Sequence, residues 1–528
     1  MFDTRAAGVL AHPTSFPSRY GIGDLGAGAY DFINFLESAK QKLWQVLPLG
    51  PTGFGDSPYQ SFSAFAGNPY LVSPDELVKE GWLTADDVVD VPHFDGNSVD
   101  YGPVINYKMG LFRRAYERFL TKATEEQQKK YGKFCAKHKS WLEDYALFSA
   151  IKAYLIEGRK NEWETPELLA YEKAMKKFLT PDQVNDYYYG AAWSSWPANI
   201  AGREKAALKE VSGGLEKEIG FVKFLQYEFF RQWDAVKAYA NKKNVRIIGD
   251  IPIFVALDSA DVWANPSLYS LKDNWPTAVA GVPPDYFSET GQLWGNPLYN
   301  WAEHKKDGYA WWCSRVAAVL NMVDIVRIDH FRGFEAYWSV PAGDKTALKG
   351  KWVKGPGKPL FDALKKHLKG LPIIAEDLGV ITEKVNKLRT DFGLPGMRVL
   401  QFAFHPEHKS IYLPHLYDNS QTIVYTGTHD NNTTIGWYDT ATEAEKDYLR
   451  RYLNVSGNNV AWDLIRLAMA SSGVLAIVPV QDILNLNGDA RMNQPGQATG
   501  WWRFRYTQGT LTDEHAARLG YLTELYHR

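Results

Sequence analysis

An apolar, β-branched run followed at once by a carboxylate is the feature that most constrains how this chain can fold. It occurs four times, and the acids that follow the runs are Asp250, Asp329, Glu376 and Asp430. Each run predicts a strand that is covered on both faces. One acid after one strand is commonly a helix cap or an ion-pair partner. Four of them point to a shared site, because the carboxyl ends of parallel strands meet on one face of a barrel.

The segment 324–330 carries the densest charge of the four. Arg327, Asp329 and His330 lie close together in it, and strand alternation places Arg327 and Asp329 on the same face. An arginine beside an aspartate keeps that carboxylate ionised, and an ionised carboxylate in a cleft can act as a nucleophile. Taken alone, the segment is explained equally well by a purely structural Arg–Asp ion pair.

Apolar segments counted from Leu43 predict eight strands, separated mostly by helical segments. The first two are 43–49 and 69–72, and residues 8–26, rich in Gly, Pro and Ser, predict a loop. This alternation predicts an α/β protein in which residues 1–528 form a single (β/α)8 TIM barrel. A doubly wound open sheet is the structural alternative.

Two segments interrupt the alternation of strands and helices. Residues 74–220 are rich in Lys and Glu and mostly helical in period, which predicts a helical insertion subdomain with a solvated charge run over 125–139. Residues 265–301 form an aromatic insertion, and its Gly- and Pro-rich part from 274 onwards predicts a long structureless loop. Loops of that length are usually functional, so we expect a lid over a cleft.

The composition narrows the classes of partner. The chain has 59 basic and 61 acidic side chains and a net charge of −2, which argues against nucleic acid or an anionic membrane. It has 2 cysteines, far apart, no visible signal peptide, and no apolar run near the ~18 residues of a membrane span. We expect a cytoplasmic monomer or weak homodimer. A plastid location is the alternative if a transit peptide has been removed.

The four acids suit glycosidic chemistry. Carboxylates that are brought together push their pKa values apart, so that one stays ionised while another keeps a proton near neutral pH. In a retaining enzyme the nucleophile and the acid lie about 5–5.5 Å apart. Asp329 is the natural anion, whereas Glu376 follows an apolar run that predicts a raised pKa. His330 and His429 can donate hydrogen bonds to sugar hydroxyls.

Two other kinds of site are less well supported. Residues 21–26 spell G-x-G-x-x-G, but no predicted strand precedes them, so we predict no dinucleotide site. The Asp, Glu and His set could hold a metal, yet the chain has no H-E-x-x-H and no close ligand pair. We therefore predict neither a metal nor a cofactor.

Four motifs around the acids occur in order and resemble the signature segments of the α-amylase clan. Three further segments are similar to one branch of that clan, the amylomaltases or 4-α-glucanotransferases (disproportionating enzymes), and the resemblance runs from residue 12 to residue 503. The signature motifs are Gly249-Asp250-Ile251-Pro252, Arg327-Ile328-Asp329-His330-Phe331-Arg332-Gly333, Ala375-Glu376-Asp377-Leu378-Gly379 and Thr428-His429-Asp430-Asn431, and the branch segments are Ser57-Pro58-Tyr59-Gln60, 281–297 and Arg491-Met492-Asn493-Gln494-Pro495-Gly496.

The resemblance implies a role for each matching residue. Asp329 would be the nucleophile, Glu376 the general acid/base, and Asp430 a third acid that binds hydroxyls of the distorted sugar. Arg327 would orient Asp329. The remaining expected sugar contacts are Asp250, His330 and His429 beside the cleaved bond, Asn296 in the branch segment, Tyr59 and Trp294 as stacking rings, and Tyr286 and Phe287 in a loop that covers the cleft.

This chain departs from the family pattern in one segment, and it differs from most amylases of the clan in its expected domain content. Gly500-Trp501-Trp502-Arg503-Phe504-Arg505 stands where the family pattern is Gly-Asn-Trp-x-Trp-Arg. Amylases of this clan usually carry a β-sandwich after the barrel. Here roughly 50 residues follow the last predicted strand, too few for the ~100 residues of a typical sandwich, so we expect no C-terminal β-sandwich domain.

The resemblance implies a retaining 4-α-glucanotransferase. Its partners would be malto-oligosaccharides and other α-1,4-glucans derived from starch or glycogen, with glucose or a short maltodextrin as the acceptor. Transfer requires that the acceptor sugar outcompete water, which a closed aromatic lid would favour. Two alternatives stay open at this point: an α-1,4-glucan hydrolase of the same clan, and a non-catalytic glucan-binding protein.

Overall fold

Eight parallel strands form a barrel at the centre of the fold. The computed structural model describes residues 2, 4–160, 165–284, 288–406, 410–417 and 421–528. Within the barrel, every strand residue is buried except Arg246 and Arg398, which are half-buried. The barrel strands are β1 (Ala6–Leu10), β2 (Leu43–Gln45), β3 (Arg246–Ile251), β4 (Ile325–Ile328), β5 (Ile373–Ala375), β6 (Gly396–Val399), β7 (Thr422–Tyr425) and β8 (Leu475–Pro479).

Each strand lies beside its neighbours in sequence, as expected for a (β/α)8 barrel. The order around the sheet is β5-β4-β3-β2-β1-β8-β7-β6, and all seven pairings are parallel. The two outer strands of this order are bridged by a hydrogen bond from the backbone N–H of Ala375 to the carbonyl oxygen of Pro395, at 3.0 Å. The predicted TIM barrel is therefore confirmed, and the open doubly wound sheet is excluded.

The predicted strand count is right, but one member of the set is wrong. Residues 69–72 do not form a strand, because Pro69 begins a 3-10 turn, Pro69–Leu71, that the Asn68 side chain caps by accepting the N–H of Tyr70. The missing strand is β1, whose first residues lie before the loop predicted over 8–26. Its sequence, Ala-Ala-Gly-Val-Leu, has a weak β propensity. Pairing with β2 and β8 stabilises it instead.

Helices cover the outside of the barrel. The helix before β3 is amphipathic, and the indole N–H of Trp233 on its buried face donates to the carbonyl oxygen of Met322 at 2.9 Å. Between β6 and β7 the described residues contain only the short 3-10 turns Leu400–Phe402 and Pro414–Leu416. The main outer helices are Ala27–Ser38, Glu216–Lys242, Ala310–Met322, Lys358–Leu368, Glu383–Asp391, Thr434–Thr440, Glu443–Leu453, Val460–Ala470 and Asp513–Leu525.

The stretch 74–220 lies between β2 and β3 and is built mainly from helices. Its helix Glu125–Lys137 is capped by Thr124 and Gln127 and contains no fully buried residue. The stretch is anchored to the loop after β2 by the buried Lys108, whose Nζ donates to the carbonyl oxygen of Tyr70 at 2.8 Å. Its helices are Pro74–Lys79, Tyr101–Lys122, Glu125–Lys137, Lys139–Arg159, Pro166–Met175, Pro181–Tyr189, Ala198–Ala201 and Lys205–Gly214.

The stretch from 274 to 301 is not structureless, which corrects the sequence-based expectation. The strands Ala278–Val282 and Gln292–Pro297 pair with each other antiparallel. Ala278–Val282 also pairs with Ala336–Pro341, which in turn pairs with Lys351–Lys354, so that a four-stranded sheet results. Two of the four strands, Ala336–Pro341 and Lys351–Lys354, follow β4 in sequence. The sequence of 274–301 alone therefore does not reveal that this stretch contributes to a sheet. Tyr286 and Phe287 lie outside the described residues.

At the amino-terminal face of the barrel, Arg528 binds backbone carbonyl groups. Its guanidinium donates to the carbonyl oxygens of Met469, Ser471 and Gly473 at 2.7, 2.9 and 3.0 Å. Arg5 donates to the carbonyl oxygen of Ser471 at 2.9 Å. These bonds satisfy carbonyl groups at and beyond the end of helix Val460–Ala470, which the helix itself leaves unpaired. No helix among the described residues combines the length and apolarity needed to span a bilayer.

Candidate active site

Arg327 joins two of the strand-end acids. It lies directly opposite Asp250 in the pairing of β3 with β4. Its Nη1 is 2.5 Å from Oδ2 of Asp250, and its Nη2 is 2.9 Å from Oδ1 of Asp329. Asp329 therefore lies on the same face as Arg327, as the strand alternation predicts. The guanidinium is 3% exposed, so two carboxylates compensate a charge that would otherwise be costly to bury.

Glu376 is held by the backbone of two loops. Its Oε2 accepts the N–H of His330 and its Oε1 accepts the N–H of Leu378, both at 2.7 Å. Burial and the neighbouring Asp329 charge raise the pKa of Glu376 to about 8, while Arg327 and the two N–H groups act in the opposite direction. At neutral pH Glu376 therefore carries a proton, which a general acid needs.

The pKa of Asp329 is also raised, but less far than that of Glu376. Burial raises its pKa to about 6, and the charges of Asp250 and Asp430 add to this effect, whereas Arg327 opposes it. The arginine therefore reduces the shift but does not reverse it. The order of the two pKa values is still the one that glycosidic chemistry needs, because at pH 7 Asp329 is ionised and Glu376 is protonated.

Asp430 lies in a polar cluster at the end of β7. Its Oδ1 accepts a hydrogen bond from Nδ2 of Asn493 at 2.6 Å and lies 3.4 Å from Nε2 of His429. Arg491 donates to the carbonyl oxygens of Asp430 and Asn493, both at 2.6 Å. Asn493 and Arg491 are not among the predicted site residues, although the segment Arg491-Met492-Asn493 is one of those that resemble the family.

Tyr59 connects the Asp250 and Asp430 sides of the site. Its hydroxyl donates to Oδ2 of Asp250 at 2.7 Å. Its ring stacks on His429 with the ring centroids 5.0 Å apart and the planes 10° from parallel. Trp502, which sequence reasoning did not place in the site, lies 5.6 Å from Tyr59 and 5.9 Å from His429 by ring centroids. These three rings form one wall beside Asp430.

His330 and Trp294 contact each other on the opposite side. Their rings meet edge to face with centroids 4.8 Å apart. The backbone of His330 is left-handed, with φ of 51°, a conformation that is uncommon for non-glycine residues. Burial lowers the pKa of His330 to about 3, so the ring is neutral. Its Nε2 is buried and has no hydrogen-bond partner among the described residues.

Asn296 is placed differently from the other predicted sugar contacts. It is buried, and its Nδ2 donates to the carbonyl oxygen of Val255 at 2.9 Å. The amide NH2 group of Asn296 therefore helps to stabilise the loop after β3. Among the described residues, no group of three or more His, Cys, Asp and Glu side chains is arranged to hold a metal ion.

Comparison with known proteins identifies the family. A family model described as 4-alpha-glucanotransferase matches residues 11–512. The chain belongs to the 4-α-glucanotransferase family. It is 48% identical to a 4-alpha-glucanotransferase of Synechocystis, over 100% of this chain and 99% of that one. It is 47% identical to a 4-alpha-glucanotransferase of Thermus thermophilus, with 99% of each chain covered.

A solved structure agrees with this assignment. The fold is similar to amylomaltase from Streptococcus agalactiae in complex with acarbose, with a TM-score of 0.90, 38% identity and 99% of each chain covered. The resemblance stated from the sequence motifs is confirmed. The protein is an enzyme of the 4-α-glucanotransferase class, a retaining glucan transferase of the α-amylase clan.

Proposed function

We propose that the enzyme moves α-1,4-glucan segments between malto-oligosaccharides by double displacement through a glucosyl–Asp329 intermediate. The observation that carries the proposal is the Asp329–Glu376 pair on neighbouring strands. One carboxyl is ionised and the other protonated at neutral pH, and the N–H of His330, the residue after Asp329, positions Glu376. This arrangement supports a nucleophile and an acid that act together on one glycosidic bond.

In the first step, a carboxylate oxygen of Asp329 attacks the anomeric carbon of the donor. Glu376 transfers its proton to the glycosidic oxygen as the bond to the leaving sugar breaks. The leaving sugar departs as a neutral alcohol, Glu376 becomes a carboxylate, and the donor segment is esterified to Asp329. Arg327 orients the nucleophile, since it binds Oδ1 of Asp329 at 2.9 Å.

In the second step, Glu376 acts as a base. It takes the proton from the 4-hydroxyl of an acceptor, whose oxygen attacks the anomeric carbon and displaces Asp329. Glu376 is then protonated again and Asp329 is a free carboxylate, so the enzyme returns to its starting state. Two inversions at one carbon retain the α configuration.

The remaining polar groups would bind the donor sugar. Asp430 and His429 present a carboxylate and an imidazole to hydroxyl groups on one side, and the unpartnered Nε2 of His330 is available on the other. Trp294 supplies a ring against which a sugar can stack. Asp250, Tyr59 and Asn296 complete the proposed set, with Asp250 holding Arg327 as well.

The architecture around the barrel suggests how water is excluded. We propose that 74–220 is an insertion subdomain of the single 1–528 barrel. We also propose that 265–301, whose described strands belong to the four-stranded sheet, covers the cleft. The two free cysteines suit the reducing cytoplasm, and we propose that the protein acts there as a monomer or weak homodimer.

The product profile from maltotriose tests this function. We expect glucose together with a ladder of longer chains, while the concentration of reducing ends stays nearly constant. Asp329→Asn, which keeps the size of the side chain, should give no products. A steady rise in reducing ends without longer chains would show a hydrolase instead. Tight glucan binding with no products from the parent enzyme would show a binding protein.

A further inference from the structure

We propose that Trp501 stacks on a glucose unit of the donor glucan that lies at least two units beyond the one joined to Asp329. The proposal rests on the transferase function above and deepens it. It predicts that this enzyme favours longer donors through a ring that none of the catalytic steps uses.

The position of Trp501 follows from its neighbours. The next residue, Trp502, belongs to the ring wall beside His429, at 5.9 Å between centroids. The guanidinium carbon of Arg491 lies 5.9 Å from the centroid of the Trp501 ring, and the same guanidinium donates to the carbonyl oxygen of Asp430 at 2.6 Å. Trp501 therefore lies at the outer edge of the Asp430 side of the cleft.

The strand order indicates which part of the donor glucan lies on the Asp430 side of the cleft. Trp501 belongs to the loop after β8, and that loop packs against the loop after β2, because a Cβ on Gly55 would lie 2.0 Å from the carbonyl oxygen of Ala498. Glu376 follows β5, on the far side of the barrel from β1, which lies between β2 and β8. The leaving sugar must lie beside Glu376, which protonates it. The retained part of the donor therefore extends towards Trp501.

The local backbone constrains the position of Trp501. Gly500 has φ of 89° and Trp502 has φ of 67°, so left-handed residues flank Trp501 on both sides. Trp502 is held there by a hydrogen bond from its N–H to the carbonyl oxygen of Met492 at 2.8 Å. A bulky residue in this conformation is strained, and such contacts must offset the strain.

The surface that Trp501 offers is its ring face. The side chain is half-buried, and its indole N–H already donates to Oε1 of Gln497 at 3.1 Å. A ligand therefore gains little by hydrogen bonding to the indole. The apolar face of a pyranose ring can instead pack against the indole, which loses little conformational freedom on binding because its position is already fixed.

The experiment compares donors of two lengths in the full-length enzyme. Transfer from maltotriose and from maltoheptaose to labelled glucose is measured for the parent, Trp501→Asn and Trp501→Phe. Tyr521→Ala is the control, since Tyr521 is an aromatic side chain that is 60% exposed on the outer helix Asp513–Leu525. In a second arm, calorimetry gives the Kd for maltoheptaose in an Asp329→Asn background with and without Trp501→Asn.

Removal of one stacking contact should lower the kcat/KM ratio of maltoheptaose to maltotriose about fivefold in Trp501→Asn. Trp501→Phe should keep most of the ratio, and Tyr521→Ala should leave it at the parent value. The Kd for maltoheptaose should rise by a similar factor. An unchanged ratio together with an unchanged Kd, or an equal loss for both donors, overturns the proposal. If the parent shows no transfer at all, the proposed function fails, and the calorimetric arm decides the role of Trp501 independently.

Discussion

The backbone N–H of His330 donates to Oε2 of Glu376 at 2.7 Å, so the loop that carries Asp329 also positions Glu376. The left-handed conformation of His330 turns the chain directly after Asp329. One local feature therefore sets the relative position of the two carboxyl groups. The roles of the two carboxyl groups can be tested separately. Attack by Asp329 needs no proton, whereas departure of a sugar leaving group needs the proton of Glu376.

Glu376→Gln removes the proton donor but leaves the nucleophile in place. We expect turnover of maltotriose to fall by at least about 10³-fold. Release of fluoride from an α-maltosyl fluoride should persist, since fluoride leaves without being protonated. Asp329→Asn serves as the control and should abolish fluoride release as well. Equal loss of both activities in Glu376→Gln would contradict the assignment of the acid.

The pH dependence of kcat/KM should be bell-shaped. Below about pH 6 Asp329 takes up a proton and loses its nucleophilicity, and above about pH 8 Glu376 loses the proton that it must donate. We therefore expect a maximum near pH 7 with maltotriose. With the fluoride donor, the alkaline limb of the release step should disappear while the acidic limb remains. An alkaline limb that is the same for both donors would argue against Glu376 as its source.

Trp294→Ala removes the ring that meets His330 edge to face. We expect KM for malto-oligosaccharides to rise about tenfold, because a stacking surface is lost, while the melting temperature changes little. Trp294→Phe should restore most of the affinity. Kinetics identical to the parent would assign Trp294 a packing role against Phe254, whose ring lies 6.4 Å away.

Arg528→Ala should destabilise the fold without changing the chemistry. The substitution removes the hydrogen bonds from Arg528 to the carbonyl groups of Met469, Ser471 and Gly473, and Arg5 still donates to the first two. We expect this loss to cost about 2–3 kcal/mol in the free energy of unfolding. Tyr521→Ala, at a side chain that is 60% exposed, is the control and should be nearly neutral. Denaturant titration measures both variants. A change in kcat/KM of folded Arg528→Ala would show that the effect is not confined to stability.

Sequence reasoning was most successful for the strands that follow long amphipathic helices. β3 and β4 are apolar, β-branched and terminated by acids, so both the strand and the side-chain position follow from a local pattern. It failed for β1, where small residues form a strand only because β2 and β8 lie on either side. It also failed at Pro69, where turn geometry, and not hydrophobicity, decides the structure.

The site was predictable where a strand end supplies the residue and less so where a loop does. Asp250, Asp329, Glu376 and Asp430 share one topological position. Asn493 and Trp502 reach Asp430 and His429 from the loop after β8, and no periodicity encodes how such a loop folds back. The raised pKa of Asp329 could not be predicted from the Arg327–Asp329 spacing, because the burial of the carboxyl depends on the whole barrel mouth.

The position of β1 also has a consequence for how the chain reaches its native state. Ala6 pairs with Leu475 in the barrel, so one of the earliest strands to be synthesised must wait for one of the last. Until β8 is available, an edge of β1 has no partner, and exposed strand edges favour aggregation. We therefore expect a high contact order and slow refolding, with barrel closure as a late event that depends on release of the carboxyl-terminal region from the ribosome.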